Sequence, residues 1–213
     1  SIQIASVTAT GVNAPLSEGD YEVKYYTTYN KDDALQNVEA TVENRGLINA
    51  GDIIVVVTAT GKNFAGEAQA TFIITPRNAS DVTATFMIDS KEVSSEFVNG
   101  IYVLASQTYE GKQVSASLSY GLDSDSSANK ITRTVQYFKD GTEITTPTSA
   151  NFKNPGAYKL VITLSGNYTG EIIATYSVQQ KDLSDPTITQ NEITKQWTGK
   201  EITISASDIQ LTD

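Results

Sequence analysis

The sequence predicts an all-β protein of tandem antiparallel β-sandwich modules, and three observations carry that expectation. Alternating runs rich in β-branched residues dominate, turn dipeptides separate them, and two stretches repeat 104 residues apart. Gln69 to Ile74, Lys159 to Leu164 and Glu171 to Tyr176 alternate as strands, while Ile53 to Val57 is a continuous apolar run that reads as a buried strand. Asn99-Gly100, Asp140-Gly141 and Asn154-Pro155-Gly156 lie between strand-like runs, where residues tolerating positive φ make tight hairpins. Between Thr132 and Leu164 the order is a strand around Val135 and Tyr137, a turn at Lys139 to Gly141, a polar crossing, the Asn-Pro-Gly turn and an apolar strand. Only Lys31 to Val42, with Ala34, Leu35, Val38 and Val42 at helical spacing, predicts a short helical insertion. The polar stretch 121–130 reads as an exposed connection.

Residues 63–81 and 167–185 align without a gap, share seven identities and keep an aromatic at Phe64/Tyr168 and Phe72/Tyr176. A second match, at an offset of 88, relates Tyr109-Glu110-Gly111-Lys112-Gln113-Val114 to Trp197-Thr198-Gly199-Lys200-Glu201-Ile202. Together they define a module order: a connector (Arg77 to Asp81, or Lys181 to Asp185), an aromatic-X-Gly-Lys turn, central hairpins and a closing hairpin. On that order residues 1–76 lack the opening strand, 77–180 form a complete module and 181–213 hold only the opening part of a third. The ends are complementary, as expected of a segment cut from a longer repeat protein, of divergent terminal modules, or of copies that complement each other head to tail.

Composition removes several function classes. The net charge of −10 repels a phosphate backbone, so nucleic acid is not an expected partner. Without cysteine there is no disulfide framework, and stability must come from sheet packing. Without histidine the usual general base, the usual neutral-pH switch and the commonest transition-metal ligand are missing. No metal or other cofactor is expected, and no run approaches the roughly 18 apolar residues of a membrane-spanning helix, so the segment reads as soluble with no membrane insertion. Ser1 opens without a signal peptide, as in a mature form, an excised fragment or a cytosolic protein that has lost its Met.

Gly19-Asp20-Tyr21, Asn49-Ala50-Gly51, the run from Gly61 to Gly66, the closing motif Gly166-Asn167-Tyr168-Thr169-Gly170 and the opening motif Trp197-Thr198-Gly199-Lys200 occur in order along the chain. In these motifs the chain resembles tandem bacterial immunoglobulin-like surface repeats, with a Tyr-Thr-Gly-Lys opening and a Gly-Asn-Tyr-Thr-Gly closing. It departs from them in the insertion from Thr27 to Asn44 and in the long opening from Asp81 to Gln107. The resemblance implies immunoglobulin-like β-sandwich modules in a structural or adhesive stalk, extracellular or on a bacterial cell surface, with no catalytic residues to carry over.

Candidate sites are few. Tyr21, Tyr25, Tyr26 and Tyr29 cluster and could stack on sugar rings, yet alternation puts Tyr21 and Tyr25 on one face and Tyr26 on the other, so part of the cluster is core. Trp197 stands in the opening turn motif, where packing or a module interface is favoured over a ligand role. Asp123 to Ser126 and Lys31 to Asp33 carry oxygen ligands but lack the six to eight oxygens and late bidentate Glu of a calcium loop. Asp182 with Asp185, and Glu92 with Glu96, are carboxylate pairs in turns without a pocket to tune them, so no enzymatic activity is expected. Asn78-Ala79-Ser80 and Asn167-Tyr168-Thr169 fit a glycosylation acceptor but are read as turn asparagines, and no Lys–Asn isopeptide bond is expected. The expected partners are neighbouring modules, other copies of the chain end to end, and host or polysaccharide glycans. The expected function is a non-enzymatic structural or adhesive repeat. The alternatives are a carbohydrate-binding accessory module of a secreted polysaccharide-degrading protein, marked by exposed coplanar aromatics, and a phage virion protein.

Overall fold

The computed structural model describes residues 6–10, 12, 14–44, 46–120, 131–182, 184, 189–190, 192–209 and 211–212. The protein is all-β and sandwich-like, and the helical pieces among the described residues are 3-10 turns of three or four residues. Among these residues no helix is long and apolar enough to cross a membrane. The chain forms two compact units: Ser1–Ala84, Leu118–Val135 and Val161–Ile172 in one, and Thr85–Ser117, Gln136–Leu160 and Ile173–Asp213 in the other.

The first unit contains a four-stranded antiparallel sheet of β1 (Tyr21–Thr28), β2 (Val38–Glu39), β3 (Gly51–Ala59) and β4 (Glu67–Ile74), in the order β2-β1-β3-β4. Its centre is β3, the apolar run read from the sequence, in which Ile53, Val55 and Val56 are buried. Further along the chain lie β5 (Arg77–Asn78), β6 (Thr83–Ile88), β7 (Lys91–Glu92), β8 (Ser95–Val98), β9 (Ile101–Leu104), β10 (Gln107–Thr108) and β11 (Ser115–Ser119). These are followed by β12 (Ile131–Lys139), β13 (Thr142–Glu143), β14 (Gly156–Gly166) and β15 (Tyr168–Gln179). An eight-stranded sheet runs β13-β12-β14-β15-β9-β8, with β5 and β10 also paired to β15, and β11-β6-β7 form a third sheet. β16 (Thr189–Gln190) and β17 (Leu211–Thr212) pair antiparallel.

Two of the three turns read from the sequence join paired strands, whereas Asn154-Pro155-Gly156 leads from the 3-10 turn Ser149–Phe152 into β14 rather than closing a hairpin. Asn99-Gly100 joins β8 to β9 and Asp140-Gly141 joins β12 to β13, all four residues at positive φ as a two-residue hairpin loop requires. Two further expectations need correction. Lys31 to Val42 is not a helix: only Ala34–Gln36 form a 3-10 turn, and Val38 enters β2. Side chains compete with helical bonding there, because Asp33 accepts from the Leu35 N–H at 3.1 Å and Asn37 from the Asn30 N–H at 2.6 Å. Nor are all ladders antiparallel, since β15 pairs parallel with β5, β9 and β10.

In the second unit the core gathers around Phe152, Tyr158 and Tyr176. Tyr158 stacks on Tyr176 at 5.2 Å and 10°, and Phe152 meets Tyr137 edge-on at 5.2 Å. Tyr137 donates to the Val114 carbonyl at 2.9 Å, which satisfies the buried hydroxyl. Burial among these rings pushes the Tyr176 phenol well above its ordinary range.

Candidate interaction surface

The register of the four-stranded sheet fixes two unlike faces, because residues paired across antiparallel strands share a side. Tyr21 pairs with Ala59, Val23 with Val57 and Tyr25 with Val55; Val57, Val55 and Ile53 in turn pair with Ala68, Ala70 and Phe72. That face is wholly apolar. The other carries Glu22, Lys24 and Tyr26, then Val56 and Ile54, then Glu67, Gln69 and Ile73.

The mixed face is covered locally. Tyr29, just past β1, donates to Glu67 Oε2 at 2.8 Å, and Lys31 approaches Glu67 Oε1 at 3.9 Å, so the chain after β1 reaches across to β4. The bond from Tyr29 holds the Glu67 carboxyl below the usual carboxylate range and raises the Tyr29 phenol. Tyr26 and Tyr29 contact at 4.9 Å with their planes 47° apart. All four tyrosines are half-buried, with Tyr21 and Tyr25 on the apolar face. The structure thus joins Tyr26 to Tyr29 but gives the four no common plane, and sequence spacing could not reveal Glu67, which anchors Tyr29 from 38 residues away.

Burial across the apolar face fades toward β4. Ile53 and Val55 are buried, Val23, Val57 and Phe72 are half-buried, and Ala68 and Ala70 are exposed. The matching positions of β15, 104 residues on, behave differently: Ile172, Ala174, Tyr176 and Val178 are buried where Ala68, Ala70, Phe72 and Ile74 are not. The strand orders also correspond, β2-β1-β3-β4 against β13-β12-β14-β15, but β15 is paired onward to β9 and β10 whereas, among the described residues, β4 ends its sheet. Gly66, just before β4, and Gly170, the third residue of β15, share φ of +96° and +99°. A Cβ on Gly170 would meet Ala79 at 3.4 Å, and one on Gly66 would meet nothing within 4 Å.

The closing asparagine of the repeat is structural. Asn167 accepts from the Ala50 N–H at 2.7 Å and donates to Asn49 Oδ1 at 2.9 Å, and its carbonyl accepts from the Arg77 N–H at 2.9 Å. Asn78 accepts from the Ser80 N–H at 2.9 Å, the turn role read from the sequence.

Trp197 is 82% exposed, so the packing role expected of it is not filled within the described chain. Its neighbourhood, 192–205, pairs with no strand, and Ile202 and Ile204 are exposed as well. Lys195 bonds to Asp208, and with the Ser205 N–H this draws the Asp208 carboxyl down to about 2.

Of the two calcium candidates, Asp123 to Ser126 lie outside the described residues, and Asp33 is occupied as the cap of a 3-10 turn. Among the described residues no group of three or more acidic side chains is placed to hold a metal ion. Asp182 accepts from the Ser184 N–H at 2.8 Å, which lowers its carboxyl, while its partner Asp185 lies outside the described residues. Glu92 and Glu96 lie on the exposed strands β7 and β8. The depression lined by Asp89, Glu110, Lys112 and Lys153 offers no uncompensated charge, because Lys112 pairs with Asp89 and Lys153 with Glu110. No protein-family model matches the chain, and no curated protein is similar enough to count as a relative.

Proposed function

We propose that the chain is a non-enzymatic structural or adhesive repeat segment of a bacterial cell-surface protein, built of tandem immunoglobulin-like modules over 1–76, 77–180 and 181–213. The observation that carries this reading is the shared strand order β2-β1-β3-β4 and β13-β12-β14-β15 in one chain, with sequence motifs repeating at the same offset. Only Thr75 and Pro76 separate β4 from β5, so modules joined this way have little slack, as a load-bearing spacer needs. An acidic surface without cysteine suits an exposed, repeated segment. A carbohydrate-binding reading draws no support from the tyrosines, since the 47° tilt of Tyr26 against Tyr29 makes no flat platform and the Tyr29 hydroxyl is spent on Glu67.

Location gives the test. Intact cells of the producing organism, treated with an external protease and probed with an antibody to this segment, are expected to lose the epitope without lysis. An epitope that survives on intact cells and is cut only after lysis contradicts a surface role.

A further inference from the structure

We propose that the edge strand β4 and the apolar face beside it are the docking site for residues 195–204 of a second copy of this chain. The inference goes beyond the surface role and does not rest on it.

The chain itself shows how such a segment is seated. Residues 107–114 are the earlier occurrence of the motif at 195–202, and they pack against β15, the counterpart of β4. Gln107 and Thr108 pair in parallel with Val178 and Gln179. Gly111 then passes so close to β15 that a Cβ would lie 2.6 Å from Val178 Cγ2 and 2.7 Å from the Phe152 carbonyl oxygen. Three residues on, Val114 is only 1% exposed.

The later occurrence keeps the two residue types that this seat presses on, Gly199 for Gly111 and an apolar β-branched Ile202 for Val114, and also Lys200 for Lys112. Yet Ile202 and Ile204 are 45% and 59% exposed and 192–205 joins no sheet. On the acceptor side, Ala70, Phe72 and Ile74 stand where β15 has buried Ala174, Tyr176 and Val178. An edge that no described strand pairs, beside an apolar face, is a template for strand addition, and here donor and acceptor are both present in one sequence.

The two offsets fix the register. Gln107 against Val178 and Thr108 against Gln179 translate into Lys195 of one copy beside Ile74 of the next, and Gln196 beside Thr75. Gly199 then crosses Ile74, and Ile202 enters the apolar face near Phe72. The contact is head to tail, so copies add in a row rather than closing a symmetric pair.

The test uses the whole chain and two variants, with mass followed by light scattering over a concentration series. The wild-type mass is expected to rise above 22.9 kDa with concentration. A donor variant, Ile202→Asp with Ile204→Asp, and an acceptor variant, Ala70→Asp, are each expected to weaken association by more than about tenfold. All three changes fall on side chains exposed within one chain, so circular dichroism and melting of each variant should match wild type. Mixing the two variants leaves one intact donor and one intact acceptor, and is expected to restore a complex of two chains and no larger one. A wild-type mass that stays at one chain, association unaffected by either variant, or a mixture that forms no pair overturns the proposal.

Discussion

Replacing Phe152 by alanine is expected to destabilise the protein by about 3–5 kcal/mol, the range for truncating a fully buried aromatic. Phe152 ends the 3-10 turn Ser149–Phe152 and has no exposed surface. Tyr137 and Tyr158 hold it, with ring centroids at 5.2 and 5.9 Å, and the Tyr158 hydroxyl shares its one proton between the carbonyls of Asn151 and Asn154 at 3.0 and 2.7 Å. Those bonds fix the turn, so the surroundings have little freedom to collapse into the space a missing ring leaves. The check is the denaturant midpoint by far-UV circular dichroism, with Leu35→Ala as control. Leu35 is 98% exposed, and its truncation is expected to stay within about 0.5 kcal/mol of wild type. Equal midpoints for the two variants would refute this description of the core.

Asn167→Ala is expected to cost about 1–3 kcal/mol, because it removes a donor from buried Asn49 and leaves that amide oxygen without the bond. The Ala50 N–H loses its 2.7 Å acceptor at the same time. The matching residue of the first repeat, Asn63, is exposed, and Asn63→Ala is expected to change stability by no more than about 0.5 kcal/mol. Chemical denaturation of the two variants side by side checks the contrast. It separates a residue retained by repetition from one at work in the fold.

The alternation in β4, β14 and β15, the apolar run of β3 and the turns at Asn99-Gly100 and Asp140-Gly141 were readable from the sequence because their causes are local: side-chain period, apolar character and tolerance of positive φ. Lys31 to Val42 misled because helical spacing alone does not supply a surface to pack against. Leu35 points to solvent while Asp33 and Asn37 tie the backbone into a turn. The parallel pairings of β15 with β5, β9 and β10 escaped because a ladder between residues some 70 to 90 positions apart is set by tertiary packing. Among the candidate residues, alternation placed Tyr21 and Tyr25 opposite Tyr26, as β1 bears out. It could not show that Tyr29 leaves the strand to reach Glu67, nor that Trp197 stands in solvent. The contrast between β4 and β15 was half visible. The repeat was on the page, but which copy had its edge filled depended on neighbours remote in sequence.

If a second copy docks on β4 as proposed, β4 and β15 are counterpart strands in two states, one open and one filled. Amide hydrogen exchange between Phe72 and Thr75, compared with Tyr176 to Gln179 at low and high protein concentration, separates the two states. Slow exchange is expected along Tyr176 to Gln179 at every concentration. For the amides between Phe72 and Thr75 that are not bonded to β3, fast exchange is expected in dilute solution and slow exchange once chains associate. Exchange there that is equally slow when dilute, or equally fast when concentrated, would contradict that docking.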